Sequence, residues 1–101
     1  MPGLANLQTG DSHTRLYNIW RGMKQRCYYP SHQSYKHYGG RGITVCDEWL
    51  SSFINFHTWA LANGYADHLT LDRIDPDGNY CPSNCRWVTW EVQAQNKRRT
   101  P

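Results

Sequence analysis

At 101 residues and a formal net charge of +3, the sequence describes one small domain. Five Trp and seven Tyr supply most of the apolar bulk, so the expected core is thin and aromatic rather than aliphatic. No run approaches the ~20 apolar residues of a membrane span, and residues 1–12 lack a basic-then-apolar signal pattern; both point to a cytoplasmic protein with no membrane partner.

Residues 1–10 show no periodicity and are expected to form a loose arm ahead of a single domain over residues 11–101. A helix is expected from Asp11 or Ser12, because Leu16, Ile19, Trp20, Met23 and Cys27 recur on one stripe. Pro30 ends it near Cys27, since the residue before a proline is pushed out of helical geometry. A polar, aromatic loop follows and closes on Gly39, Gly40 and Gly42. Residues 43–46 read as a short strand. Ser51 or Ser52 caps a second helix with a wide apolar face of Phe53, Ile54, Phe56, Trp59, Ala60 and Leu61, and Asn63-Gly64 stops it. Residues 69–73 alternate like a strand, Asp75-Pro76-Asp77-Gly78 is turn chemistry, and residues 86–89 form a second strand. Thr89 then caps a last helix carrying Val92 and Asn96 and ending in Lys97, Arg98 and Arg99, whose charges suit a helix C-terminus. The expected class is α+β.

Charge is unevenly distributed. Residues 1–46 hold six basic groups (Arg15, Arg21, Lys24, Arg26, Lys36 and Arg41) against Asp11, while residues 47–91 hold seven acids against Arg73 and Arg86. Such a layout suits phosphate binding on one side, or simply a mixed solvated surface. Cys27, Cys46, Cys81 and Cys85 read as metal ligands or small buried hydrophobes, because thiols in a reducing compartment do not form a disulfide framework.

Residues 71–96, LDRIDPDGNYCPSNCRWVTWEVQAQN, carry the most specific pattern. Asp72-Arg73-Ile74-Asp75 followed by Asn84-Cys85-Arg86-Trp87-Val88-Thr89 and Gln95-Asn96 resembles the HNH endonucleases of phages and mobile elements. Those share a DHI(N/D) strand, an N-L-R-W-V-T strand and a helix ending in a polar ligand. Arg26-Cys27-Tyr28, the YGGRGI run from Tyr38 and Val45-Cys46 are similar to elements of a broader group of small phage proteins. The resemblance implies a ββα-metal core over about residues 69–98, in a bacterial host.

It also implies roles. Asp72 and Asn96 take the positions of a divalent-metal pair (Mg²⁺ or Mn²⁺ in an active enzyme) and Asn84 that of the brace for the base-bearing loop. Arg73 stands where the family has its histidine base. A guanidinium, with a pKa above ~12, accepts no proton at neutral pH. His68 lies just before the strand, and Asp75 is an alternative acceptor or ligand. The ordinary reading of Asp72, Asp75, Asp77 and Asn79 is turn and cap chemistry without a metal; a full calcium-loop pattern is missing. Trp87 and Trp90 are expected in the core.

Related nucleases carry an accessory cysteine-rich zinc site, so a structural Zn²⁺ on Cys27, Cys46, Cys81 and Cys85 is an expectation from the resemblance. The broader group points to Cys27, Cys46 and Cys85 most strongly, with His32 or His37 as a fourth ligand. The run Tyr35 to Gly42 mixes cations, rings and glycines. It can approach a phosphate through Arg41 and stack through Tyr35 or Tyr38, or it can be a tight turn packing Tyr38 on the core.

Three functions fit this reading. The first is a DNA-binding protein on a degenerate HNH scaffold, with Arg41, Arg73, Lys97, Arg98 and Arg99 on phosphates. The second is a metal-dependent endonuclease or nickase. The third is a phage-encoded inhibitor of a host protein or ribonucleoprotein.

Overall fold

The computed structural model describes the backbone of residues 2–99 and the side chains of residues 13–95. Among these, four α-helices appear: α1 (Pro2–Tyr28), α2 (Asp47–Leu50), α3 (Phe53–Ala62) and α4 (Trp90–Arg99). Two strands, β1 (Thr70–Arg73) and β2 (Cys85–Val88), pair antiparallel. The α+β class is therefore observed. No helix among the described residues is long and apolar enough to cross a membrane.

α1 is helical from Pro2, earlier than the start expected at Asp11 or Ser12. The expected arm and both expected caps lie outside the residues whose side chains are described. From His13 onward the helix buries the anticipated stripe: Leu16 and Met23 are fully buried and Cys27 nearly so, with Ile19 and Trp20 half-covered beside them. It ends at Tyr28, two residues before Pro30.

Ser52 caps α3 by accepting a hydrogen bond from the Asn55 N–H at 3.3 Å, and Gly64 beyond its end adopts φ +89°. The apolar face of α3 is narrower than its sequence suggests. Phe56 and Ala60 are buried, but Ile54 and Leu61, seven residues apart on the other side, are exposed. The sequence shows seven apolar residues on the ten positions of α3, and only packing decides which face meets α1. The short helix α2 was not anticipated; it places Trp49 at the centre of the core, edge-on to Phe56 at 5.1 Å.

The expected strand over residues 43–46 is reduced to a single parallel bridge, Val45 with Tyr80. Its backbone finds partners of three other kinds. Ile43 N–H reaches the Tyr38 carbonyl at 3.0 Å, Thr44 N–H the Asn79 Oδ1 at 2.9 Å, and Val45 N–H the Tyr28 hydroxyl at 3.0 Å. Side chains thus satisfy buried donors that a neighbouring strand would otherwise take.

The glycine loop folds as two 3-10 turns, Tyr35–His37 and Gly39–Arg41. Gly42 has φ +91°, the left-handed conformation expected of glycine. Gly39 is required for a different reason: a Cβ there would lie 2.0 Å from the Cys27 carbonyl oxygen. Gly39→Ala forces the loop away from the end of α1, and unfolding in urea is expected to show a loss of about 2–3 kcal/mol or more.

Candidate functional site

β1 and β2 pair Thr70 with Val88, Leu71 with Trp87, Asp72 with Arg86 and Arg73 with Cys85. Because side chains alternate across a strand, Asp72 and Arg73 leave β1 on opposite faces. Leu71, Arg73, Cys85 and Trp87 share the core side, where Trp87 stacks edge-on to Tyr65 at 4.9 Å. Thr70, Asp72, Arg86 and Val88 share the other. Thr89 caps α4, its hydroxyl accepting from Val92 N–H at 3.3 Å. Gln93 ties α4 to β1 by donating to the Leu71 carbonyl at 2.9 Å. Trp90 is 64 % exposed, contrary to its expected core role. The pleat alternation that buries Trp87 stops at Val88, and Trp90 opens the helix instead.

Asp72 is 7 % exposed and accepts from Arg86 Nε at 3.0 Å. Arg86 sits directly opposite in register, so the pair closes across the hairpin.

Arg73 turns into a cluster of four side chains. Its guanidinium lies 5.0 Å from the Tyr38 ring centre and 5.2 Å from that of Tyr80. It also donates to the carbonyls of Pro76 at 2.6 Å and Gly78 at 2.8 Å. Arg26, from α1, approaches the same two rings at 5.2 and 5.7 Å and donates to the Tyr80 hydroxyl at 3.0 Å. The rings themselves are nearly parallel, with centres 6.2 Å apart. Nothing in the spacing of Arg26 and Tyr80 along the chain links them to Arg73.

Asn84 braces the turn. Its Oδ1 accepts from the Asp75 N–H at 2.9 Å, and its Nδ2 donates to the carbonyls of Asp75 at 3.1 Å and Asn79 at 3.0 Å. Asp75 Oδ1 accepts from Asp77 N–H at 3.0 Å, and Asp77 forms a surface ion pair with Arg41 of the glycine loop. Turn chemistry therefore accounts for Asp75, whereas Asp77 and Asn79 reach across to Arg41 and Thr44. His68 is exposed ahead of β1. The structure thus brings Arg73 and the Asn84-braced turn together on one side of β1, and Asp72 with Arg86 on the other. The side chains of Asn96, Lys97, Arg98 and Arg99 lie outside the described residues.

Cys46 and Cys81 directly follow the two residues of the Val45–Tyr80 bridge, and Cys85 opens β2 four residues after Cys81. Cys27 instead lies near Arg26 and Arg73. Burial pushes the thiols of Cys27 and Cys46 up and that of Cys85 to about 12. Among the described residues, no group of three or more His, Cys, Asp or Glu side chains is gathered closely enough to hold a metal ion. His32 is engaged locally, its Nδ1 accepting from Ser34 N–H at 3.1 Å.

Burial also pushes the Tyr80 phenol up to about 12, against the lowering effect of Arg26. A phenol that ionises at about 10 when unfolded stabilises the fold below that pH and loses its contribution as pH rises toward about 12. Urea midpoints are therefore expected to fall more steeply above about pH 10 in the native protein than in Tyr80→Phe.

Comparison with known proteins finds no matching family model, no matching curated protein and no matching solved structure.

Proposed function

We propose that this protein binds DNA through a degenerate HNH-type module made of β1, β2 and α4, and that it does not cut. The observation that carries the reading is the use made of Arg73, whose guanidinium is committed to two rings and two turn carbonyls. A guanidinium takes no proton from water near neutral pH, so the position that needs a general base has none. Asn84 bonds the turn after β1 and Gln93 holds α4 against β1, an arrangement compatible with the module that the resemblance implies. Such a module without a proton acceptor at that position suits binding better than hydrolysis.

Phosphate contacts are assigned to Lys97, Arg98 and Arg99 at the end of α4, joined by Arg41 when it exchanges Asp77 for a phosphate. Arg73 joins them through Nε and Nη2, since its Nη1 is held by the turn carbonyls.

Gel-shift titration against duplex DNA across a salt series tests this reading. The expected result is binding that weakens with salt, with a log–log slope that falls by about 2.7 when Lys97, Arg98 and Arg99 are all changed to alanine. Binding indifferent to salt, or none at low salt, refutes it. Plasmid nicking with Mg²⁺ or Mn²⁺ that disappears in Asp72→Ala would establish the nuclease instead.

A structural zinc is the second part of the proposal. Cys46, Cys81 and Cys85 are its nearest-placed ligands, and they must turn toward one another to close a site with Cys27 or a histidine as the fourth. Protein purified without chelator is expected to carry about one zinc and to lose stability when stripped of it, because metal binding adds to folding free energy. Well under one equivalent by elemental analysis removes the metal from the proposal.

A further inference from the structure

The exposed side of α1 carries an aromatic and cationic groove that the DNA-binding module does not use. Tyr17, Trp20, Arg21, Lys24, Gln25 and Tyr29 line it. The first five recur at three- and four-residue intervals, which places them on one stripe beside the buried Leu16–Met23–Cys27 stripe. Trp20 is its anchored floor: its indole N–H donates to the Trp49 carbonyl at 2.7 Å, and its ring packs on Phe53.

The cations are held over rings rather than paired with acids. Lys24 Nζ lies 3.8 Å from the Trp20 ring centre, and the Arg21 guanidinium 6.0 Å from that of Tyr17. From residue 12 to residue 46 the chain has no Asp or Glu, and neither cation joins an ion pair among the described residues. Tyr29 is 56 % exposed and stands open at one end of the positive groove, while Tyr17 at the other end, 40 % exposed, packs edge-on to Phe53 at 5.2 Å and lies beneath Arg21.

We propose that this groove binds single-stranded DNA, with Arg21 and Lys24 on phosphates and Tyr29 stacked on an unpaired base. Phosphates alone account for cations without rings; an open ring beside cations matches a strand whose bases are free to stack. In a duplex those base faces are already covered. An acidic protein could engage the cations but does not call for a flat, exposed ring. The inference rests on the reading above only for the choice of DNA, since it uses a different face of the molecule.

Fluorescence anisotropy with labelled oligo(dT), duplex DNA and heparin tests it, with circular dichroism confirming that each variant folds. Tyr29→Ala is expected to weaken oligo(dT) binding about fivefold or more, while Tyr29→Phe keeps it, because the stacking face is retained. The double variant Arg21→Ala with Lys24→Ala is expected to reduce the log–log salt slope for oligo(dT) by about 1.4. Duplex binding should stay within about twofold in these variants, as it depends on the α4 tail.

Equal oligo(dT) affinity in Tyr29→Ala and the native protein overturns the proposal, as does equal loss of heparin and oligo(dT) binding, which marks a generic polyanion surface. Duplex binding without oligo(dT) binding overturns this inference and leaves the module reading standing. Oligo(dT) binding that depends on α1 but not on Lys97, Arg98 and Arg99, with no duplex binding, does the reverse.

Discussion

Arg26 and Arg73 reach the Tyr38–Tyr80 pair from two different elements, α1 and β1, while the rings come from the glycine loop and from the segment after the Asp75–Gly78 turn. Four parts of the chain that share little aliphatic core are thereby joined at one place. A cation over an aromatic ring is worth about 2 kcal/mol when desolvated, and each hydrogen bond from a charged donor a similar amount. Arg26 adds one such bond to Tyr80, and Arg73 adds two to the turn. In a domain with so few fully buried aliphatic side chains, that cluster does work that leucine and isoleucine do in larger proteins.

The same constraint shapes the chemistry available to β1. Arg73 Nη1 holds the turn closed through the carbonyls of Pro76 and Gly78. Asp72, one residue away, is on the opposite face with Arg86, so the strand divides a structural arginine from a buried carboxylate. Asn84 and Arg73 secure the turn from two directions, the amide through Asp75 and Asn79 and the guanidinium through Pro76 and Gly78. What the hairpin preserves is therefore a rigid platform against which α4 is set by Gln93. The groove on α1 is built in the same idiom, rings and cations together, but with Tyr29 left open to solvent.

Much of the architecture was legible in the sequence because it depends on local rules. The Leu16–Met23–Cys27 stripe, the Ser52 cap, the Asn63-Gly64 stop, the DPDG turn and the two strands around it follow from periodicity, capping and turn preference. Asn84 makes three hydrogen bonds to Asp75 and Asn79, partners that lie within nine residues of it in the chain. Less was legible where one residue type serves several ends. Ile54 and Leu61 look like core residues on α3 and are exposed, and Trp90 looks like Trp87 and is not buried with it.

By itself, then, the sequence determined the α+β class, the two strands of the hairpin with a helix after them, and the chemistry of the turn, since each depends on residues close together in the chain. Tertiary structure alone decided what Arg73 does, because its partners Tyr38 and Tyr80 come from other segments, and Arg26 arrives from a helix far upstream. It also decided that residues 43–46 make a single bridge with side-chain partners instead of a strand, and that α1 turns rings and cations outward on the stripe next to its buried one. Pairings over such separations depend on how elements pack, and no spacing rule along the chain encodes them.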